Sequence, residues 1–370
     1  MNPLVELHAF GQSFWYDNIR REFLTDGTVQ GLIDEDGLRG MTSNPTIFEG
    51  AIAGTDNYDE QIAELTARGA DVDSIYEALV LADIQAACDL FAPLYRQSNG
   101  GDGYVSLEVS PHLAHDTEET IREARRLNAA VDRPNVMIKV PATAEGIPAV
   151  RALIGEGINV NITLMFNMAH YEAVARAYID GLRDWVARGG DPRQVASVAS
   201  FFVSRVDTIV DKRLAALDDP AAAALMGKAA VANSRLVYQR YKEIFRDQAG
   251  EFAELAAAGA PVQRLLWAST GTKNPAYSDT LYIDELIGPD TVTTMPPATI
   301  DAFRDHGTVA NTLESNLDEA QLVFDHLAEL QVDIDSLTEQ LQIEGVAAFI
   351  KSFDSLLATI AAKQSDLIKR

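Results

Sequence analysis

A lysine inside an apolar, strand-like run is an unusual place for a charge. Lys139 sits in one: Asn135-Val136-Met137-Ile138-Lys139-Val140-Pro141-Ala142-Thr143. β-Branched residues favour the extended chain and Pro141 closes the run. Desolvation disfavours an ammonium, and an amine freed of its proton attacks a carbonyl carbon to give a Schiff base. A lysine that ends a strand and reaches its charge to water would leave the same string. The neighbouring strands therefore decide between the two readings.

Side chains alternate faces along a strand. In Tyr104-Val105-Ser106-Leu107-Glu108-Val109, the residues Val105, Leu107 and Val109 oppose Ser106 and Glu108. In 136–140, Val136, Ile138 and Val140 oppose Met137 and Lys139. In 158–164, Ile158, Val160, Ile162 and Leu164 oppose Asn161 and Thr163. Each apolar face suits a covering helix, and each polar face gathers near the strand's C-terminal end. A Glu, a Lys, an Asn and a Thr thus converge. Asp17, Asn44 and Ser200 end further strand-like runs and join them. Polar residues often end strands simply because loops begin there, but three consecutive strands share this parity.

The elements that would position these groups repeat as a short strand, a turn and an amphipathic helix, the rhythm of a parallel α/β fold. Asn167 is placed to cap a helix whose apolar positions are Tyr171, Val174, Tyr178, Leu182 and Trp185, stopped by Gly189, Gly190 and Pro192. Asp116 and Glu119 form an N-terminal capping pattern ahead of Ile121, Ala124 and Leu127. Five further runs, 13–17, 38–42, 195–202, 264–269 and 291–294, bring the strands to eight. That is the number that closes a (β/α)8 TIM-type barrel, in which the C-terminal strand ends carry the active site. Helical insertions fill 56–98 and 205–258. Beyond residue 307 the pattern is all-helical, with a stripe of Val346, Phe349, Ile350, Phe353, Leu356, Leu357 and Ile360. We expect one barrel domain over 1–370, with 307–370 a helical extension packed on it.

Composition narrows the function. The 370 residues carry a net charge of -25, which disfavours nucleic acid as a partner, since phosphate backbones are met by basic faces. A small anion needs only a few local cations. The single cysteine, Cys88, fits a reducing, cytoplasmic setting. The N-terminal residues do not read as a secretory signal, and no unbroken apolar run reaches 18 residues, so no membrane partner is expected. His112, His115 and Asp116 lie close enough in sequence to suggest a metal site, but Asp116 is explained as a cap and no metal-ligand motif is present. Neither a dinucleotide fingerprint nor a Walker-type loop occurs. No cofactor and no metal are expected, and the oligomeric state is left open.

Four ordered motifs then carry a resemblance: Met41-Thr42-Ser43-Asn44-Pro45-Thr46, Ile138-Lys139-Val140-Pro141-Ala142-Thr143, Val160-Asn161-Ile162-Thr163-Leu164-Met165-Phe166 and Ala199-Ser200-Phe201-Phe202-Val203-Ser204-Arg205-Val206. Together they resemble the transaldolases, within the class I Schiff-base aldolases, over about residues 13 to 300. The resemblance implies a cofactor-independent barrel enzyme of the non-oxidative pentose phosphate pathway that transfers a dihydroxyacetone unit between sugar phosphates. It implies Lys139 as the Schiff-base lysine and Asp17 as the base on the C4 hydroxyl. Glu108 would be the acid/base acting through a water, with Thr163 helping to hold it. Asn44, Asn161 and Ser200 would hold the dihydroxyacetone unit, and Arg205 the phosphate. Where many relatives carry an arginine in a shorter loop, this chain has Ser269-Thr270-Gly271-Thr272-Lys273, and Lys273 is the second expected phosphate cation. Phe202 stands where the fructose 6-phosphate aldolase branch tends to carry tyrosine, which favours transfer over simple cleavage. The rival readings are an aldolase releasing free dihydroxyacetone and a catalytically silent barrel that binds sugar phosphates.

Overall fold

Eight parallel strands close on themselves in sequence order: β1 (Gln12–Asp17), β2 (Gly40–Thr42), β3 (Tyr104–Glu108), β4 (Val136–Pro141), β5 (Val160–Met165), β6 (Ser197–Phe202), β7 (Arg264–Ala268) and β8 (Thr291–Met295). β8 returns to pair with β1, Gln12 opposite Thr291. The computed structural model describes residues 2–369, with side chains as far as Leu367; Met1 and Arg370, the ends of the expected span, lie outside them. Every expected strand is present, each boundary within two residues of its forecast. Every strand has at least four buried residues or, in the short β2, three. This is why their sequences run apolar on the helix-facing side.

The interior is filled, not hollow. Trp15 of β1 lies against Gly40 of β2, where a Cβ would come within 2.6 Å of the indole, so glycine is the residue that admits the ring. At the N-terminal end Asp102 accepts from Arg39 at 2.6 Å, Ser13 at 3.0 Å and Arg264 at 3.0 Å, tying the starts of β1 and β7 to the entry into β3. Burial opposes ionisation of this carboxyl, but Arg264, Arg39 and the Ser13 hydroxyl outweigh it and hold its pKa below the ordinary value.

β5 departs from simple alternation. Its register with β6 shifts between Ile162 and Met165, and Leu164 takes a left-handed φ of 60°. Leu164 was expected on the same face as Ile158, Val160 and Ile162. The bulge turns it instead toward the C-terminal helix, where a Cβ on Gly345 would lie 2.8 Å from its Cδ2.

The C-terminal helix Ile334–Lys369 crosses the C-terminal end of the barrel. Val346, Phe349, Phe353, Leu356 and Ile360 of the expected stripe are buried, while Ile350 and Leu357 are partly so. Gln342 Nε2 donates to the carbonyls of Ala142 at 2.9 Å and Leu164 at 3.0 Å, at the ends of β4 and β5. Polar ties pin the rest: His170 to Glu339, Thr46 to Ser352, Ser355 to Glu49, and Lys363 to Asp59 and the Thr55 carbonyl. This helix and Val72–Gln97 are long and apolar enough to cross a membrane by length and composition, although no unbroken apolar run of 18 residues occurs in the sequence. Their apolar faces, among them Ile75, Leu79, Phe91, Phe349 and Leu356, enter the barrel's hydrophobic core.

Candidate active site

Parallel pairing sets Glu108 of β3 directly beside Lys139 of β4, and Lys139 beside Asn161 of β5. Lys139 is only 6% exposed. Its Nζ donates to the Ser43 carbonyl at 3.0 Å and lies 3.5 Å from Glu108 Oε2. The run around Lys139 is apolar, yet the amine has two polar partners: Glu108, expected from strand parity, and the Ser43 carbonyl, which the loop after β2 turns inward. At 3.5 Å the contact with Glu108 is an ion pair too long for a well-formed hydrogen bond, and Oε2 has no hydrogen-bond partner. Burial raises the pKa of Glu108, Lys139 pulls it down in part, and the charge of Asp17 adds to the rise.

Above Lys139 opens a cavity of about 180 Å³ at the barrel mouth. Asp17, Asn44, Lys139, Asn161, Thr163, Ser200, Phe202, Arg205 and Lys273 all line it. Of the ten residues singled out in the sequence, only Glu108 does not. Its carboxylate lies behind Lys139 and borders a second, smaller cavity of about 30 Å³ with Tyr76, Arg126 and Phe353.

Several of the lining groups are held by hydrogen bonds from neighbouring strands and loops. Asp17 Oδ1 accepts from Thr42 Oγ1 at 2.7 Å. Ser200 Oγ donates to Asn161 Oδ1 at 2.6 Å, and Asn161 Nδ2 donates to Ser106 Oγ at 3.0 Å. This chain fixes the amide so that its orientation is set by three strands. Asn44 caps the helix Pro45–Ala53 by accepting from the Ile47 N–H at 3.0 Å, which leaves its amide nitrogen for other work. Thr163 Oγ1 is buried without a partner. Arg205 starts the helix Ser204–Ala215, its guanidinium 5.3 Å from the Phe202 ring, and burial lowers its pKa. Among the described residues no carboxylate pairs with Arg205 or Lys273, so two cations face one small cavity.

Sequence reasoning missed four contributors. Ser106 had the right parity but no assigned task. Thr42 and the Ser43 carbonyl follow from the fold of the β2 loop. Phe349 reaches the cavity from the C-terminal helix, and nothing local in the chain signals that. The histidine cluster disperses: His112 bonds Asp354 of the C-terminal helix at 2.8 Å, His115 pairs with Glu145 at 3.2 Å, and Asp116 caps the helix Thr117–Val131. Among the described residues no group of His, Cys, Asp or Glu is arranged to hold a metal ion.

The pattern of the Transaldolase/Fructose-6-phosphate aldolase family matches residues 14–360. A protein named Transaldolase from Parafrankia sp. (strain EAN1pec) is 51% identical, the match covering 97% of this chain and 97% of that one. Another from Trichodesmium erythraeum is 47% identical over 99% of this chain and 98% of its own. One from Mycobacterium bovis is 48% identical over 96% of each. Agreement over this length leaves no part of the barrel unaccounted for: the chain belongs to the transaldolase/fructose-6-phosphate aldolase family.

Proposed function

We propose that the chain works as a transaldolase, a transferase that moves a dihydroxyacetone unit from a ketose phosphate to an aldose phosphate through an imine on Lys139. The donors are sedoheptulose 7-phosphate or fructose 6-phosphate, and the acceptors glyceraldehyde 3-phosphate or erythrose 4-phosphate, as in the non-oxidative pentose phosphate pathway of a cytoplasm. The observation that carries this reading is the buried Lys139 amine, 3.5 Å from the Glu108 carboxylate, at the floor of a cavity that also holds Arg205 and Lys273.

The amine adds to the ketose C2 carbonyl, and water leaves to form the iminium. Glu108 moves the protons of that exchange through a bound water; Glu108 Oε2 and Thr163 Oγ1 are each buried oxygens without a protein hydrogen bond, so each is free to bond one. Asp17 takes the proton from the C4 hydroxyl as the C3–C4 bond breaks, and the iminium accepts the electron pair to become an enamine. The first aldose leaves, the enamine carbon attacks the aldehyde of the second while Asp17 returns its proton to the new C4 oxygen, and water hydrolyses the resulting iminium to release the new ketose phosphate and free Lys139. Asn44, Asn161 and Ser200 hold the three-carbon hydroxyls, and Arg205 and Lys273 bind phosphate. Phe202 offers no proton to the enamine, and Phe349 helps keep water from it. The whole chain, tail included, acts as one unit in this reading, because the mouth takes a wall from the C-terminal helix.

Borohydride reduction with fructose 6-phosphate, followed by peptide mass mapping, tests it. A three-carbon adduct on Lys139 is expected. No adduct while the sugar binds would send the reading back to a binding barrel, and an adduct on another lysine would remove Lys139 from its role. An acceptor assay separates transfer from release of free dihydroxyacetone.

A further inference from the structure

Beside the mouth, two carboxylates of one helix pair with two tyrosines of the segment between β7 and β8, Tyr277 in its loop and Tyr282 in the short helix Leu281–Asp284. The helix Ser204–Ala215 carries Arg205 at its start, then Asp207 and Asp211, four residues apart and so on one face. The segment after β7 carries Lys273, Tyr277 and Tyr282. Tyr277 donates its hydroxyl to Asp211 Oδ2 at 2.6 Å, and Tyr282 donates to Asp207 Oδ2 at 2.9 Å. The other oxygen of each carboxylate accepts a backbone N–H, from Gly227 at 2.9 Å and from Ala230 at 2.8 Å. Gly227 has a φ of 74°, and a Cβ there would lie 2.7 Å from Tyr277 Cζ, so the backbone is shaped to seat that ring.

Both aspartates are buried, and neither has an ion-pair partner among the described residues. Buried carboxylates without a cation cost stability. Asp207 takes its bonds from the buried Tyr282 of the short helix Leu281–Asp284 and from the helix Ala229–Phe245, whereas Asp211 takes its bond from Tyr277, in the loop that follows β7. The same loop is fastened to the same helix at its other end: Ser204 N donates to the Ser269 carbonyl at 3.0 Å, and the two hydroxyls lie 2.9 Å apart. Between these anchor points stand Gly271 and Lys273, which line the mouth cavity together with Arg205.

We propose that Tyr277 with Asp211, backed by Tyr282 with Asp207, is a positioning clasp that holds Lys273 against Arg205 so that both cations meet one phosphate group. The proposal rests on the sugar-phosphate reading above and deepens it. A lysine ammonium is a point charge on a flexible stem, so its usefulness depends on where its backbone is held. None of the four clasp residues lines the cavity. Their effect passes through Lys273 and leaves imine formation at Lys139 alone.

The test compares Tyr277→Phe, Asp211→Asn, Lys273→Ala and the Tyr277→Phe/Lys273→Ala double variant in the full chain, each checked by thermal melting. The readouts are KM and kcat for fructose 6-phosphate with erythrose 4-phosphate, and borohydride inactivation with dihydroxyacetone, which has no phosphate. Tyr277→Phe is expected to raise KM about tenfold, the scale of a hydrogen bond to a charged group. It should leave kcat and the dihydroxyacetone reaction within twofold, and add less than twofold once Lys273 is gone. A raised KM in Lys273→Ala with silent Tyr277→Phe and Asp211→Asn would overturn the clasp and spare the phosphate reading. A silent Lys273→Ala would overturn both. Equal losses with and without phosphate would show a merely structural contact and also overturn the clasp. Should Asp211→Asn not fold, Tyr277→Phe deletes a single oxygen and decides alone.

Discussion

Glu108 and Lys139 face each other across paired positions of β3 and β4, Oε2 3.5 Å from Nζ, while Lys139 already donates to the Ser43 carbonyl at 3.0 Å. The carboxylate is near enough to exchange a proton with the amine directly, with no room for a water between them, yet it is not locked to the amine by a short hydrogen bond. Burial pushes its pKa up, and Lys139 offsets only part of that rise. Its ionised form is the one that accepts a proton, so kcat should fall on the acid side at a pH above the usual carboxylate range. Glu108→Gln should lower kcat by about 10²- to 10⁴-fold and remove that limb. A pH–rate profile whose acid limb persists in the variant would assign the limb to another group.

Lys139→Ala should abolish turnover, by about 10⁴-fold or more, and leave no sugar adduct after borohydride. The side chain is small against the core, so far-ultraviolet circular dichroism should be unchanged. Loss of the neighbouring cation should also push the Glu108 pKa higher still, which carboxyl infrared or NMR titration would read. Substantial residual transfer would remove the lysine from its role.

Phe349 is 7% exposed and reaches the cavity from the C-terminal helix. Phe349→Leu keeps the apolar wall but shortens it. The enamine should then meet water more often, and the ratio of free dihydroxyacetone released to transfer product should rise several-fold. An unchanged ratio, measured by coupled assay of both products, would take the shielding role from this helix.

Asp207 titrates in a window where stability can be followed. Burial raises its pKa from 3.8 to about 6, against the pull of the Ala230 N–H and Tyr282, with Asp211 adding to the rise. The folded state therefore holds a proton that the unfolded chain releases. The resulting stability is fully present below about pH 3.8 and is lost as pH rises through about 6. A difference of this size between the folded and unfolded carboxyl is equivalent to about 3 kcal/mol at most. Asp207→Asn should flatten the stability curve between these pH values, measured by urea unfolding against the unsubstituted chain. Parallel curves would show that the carboxyl is ionised throughout.

Most of the barrel was legible because parallel strands covered by helices must be apolar on one face, and polar residues then mark the other. Lys139, Asn161 and Thr163 were placed by parity alone, and their convergence in one cavity follows from the closed sheet. Parity stopped working at Leu164, where a bulge inserts a residue that no local pattern announces. It also did not distinguish Glu108, behind the lysine, from residues lining the mouth. The Ser43 carbonyl was invisible because a backbone group has no letter in the sequence. Phe349 was read as one of a stripe of core residues, and only the path of its helix across the mouth separates it from the others.

The helix Ile334–Lys369 follows all eight strands in the chain, yet it supplies Phe349 to the cavity and satisfies the Ala142 and Leu164 carbonyls through Gln342. During synthesis, every barrel strand emerges from the ribosome before this segment does. A nascent chain can therefore bring Lys139 beside Glu108 while the mouth still lacks one wall, so under the proposed chemistry the lysine is in place before the shelter an enamine on it would need.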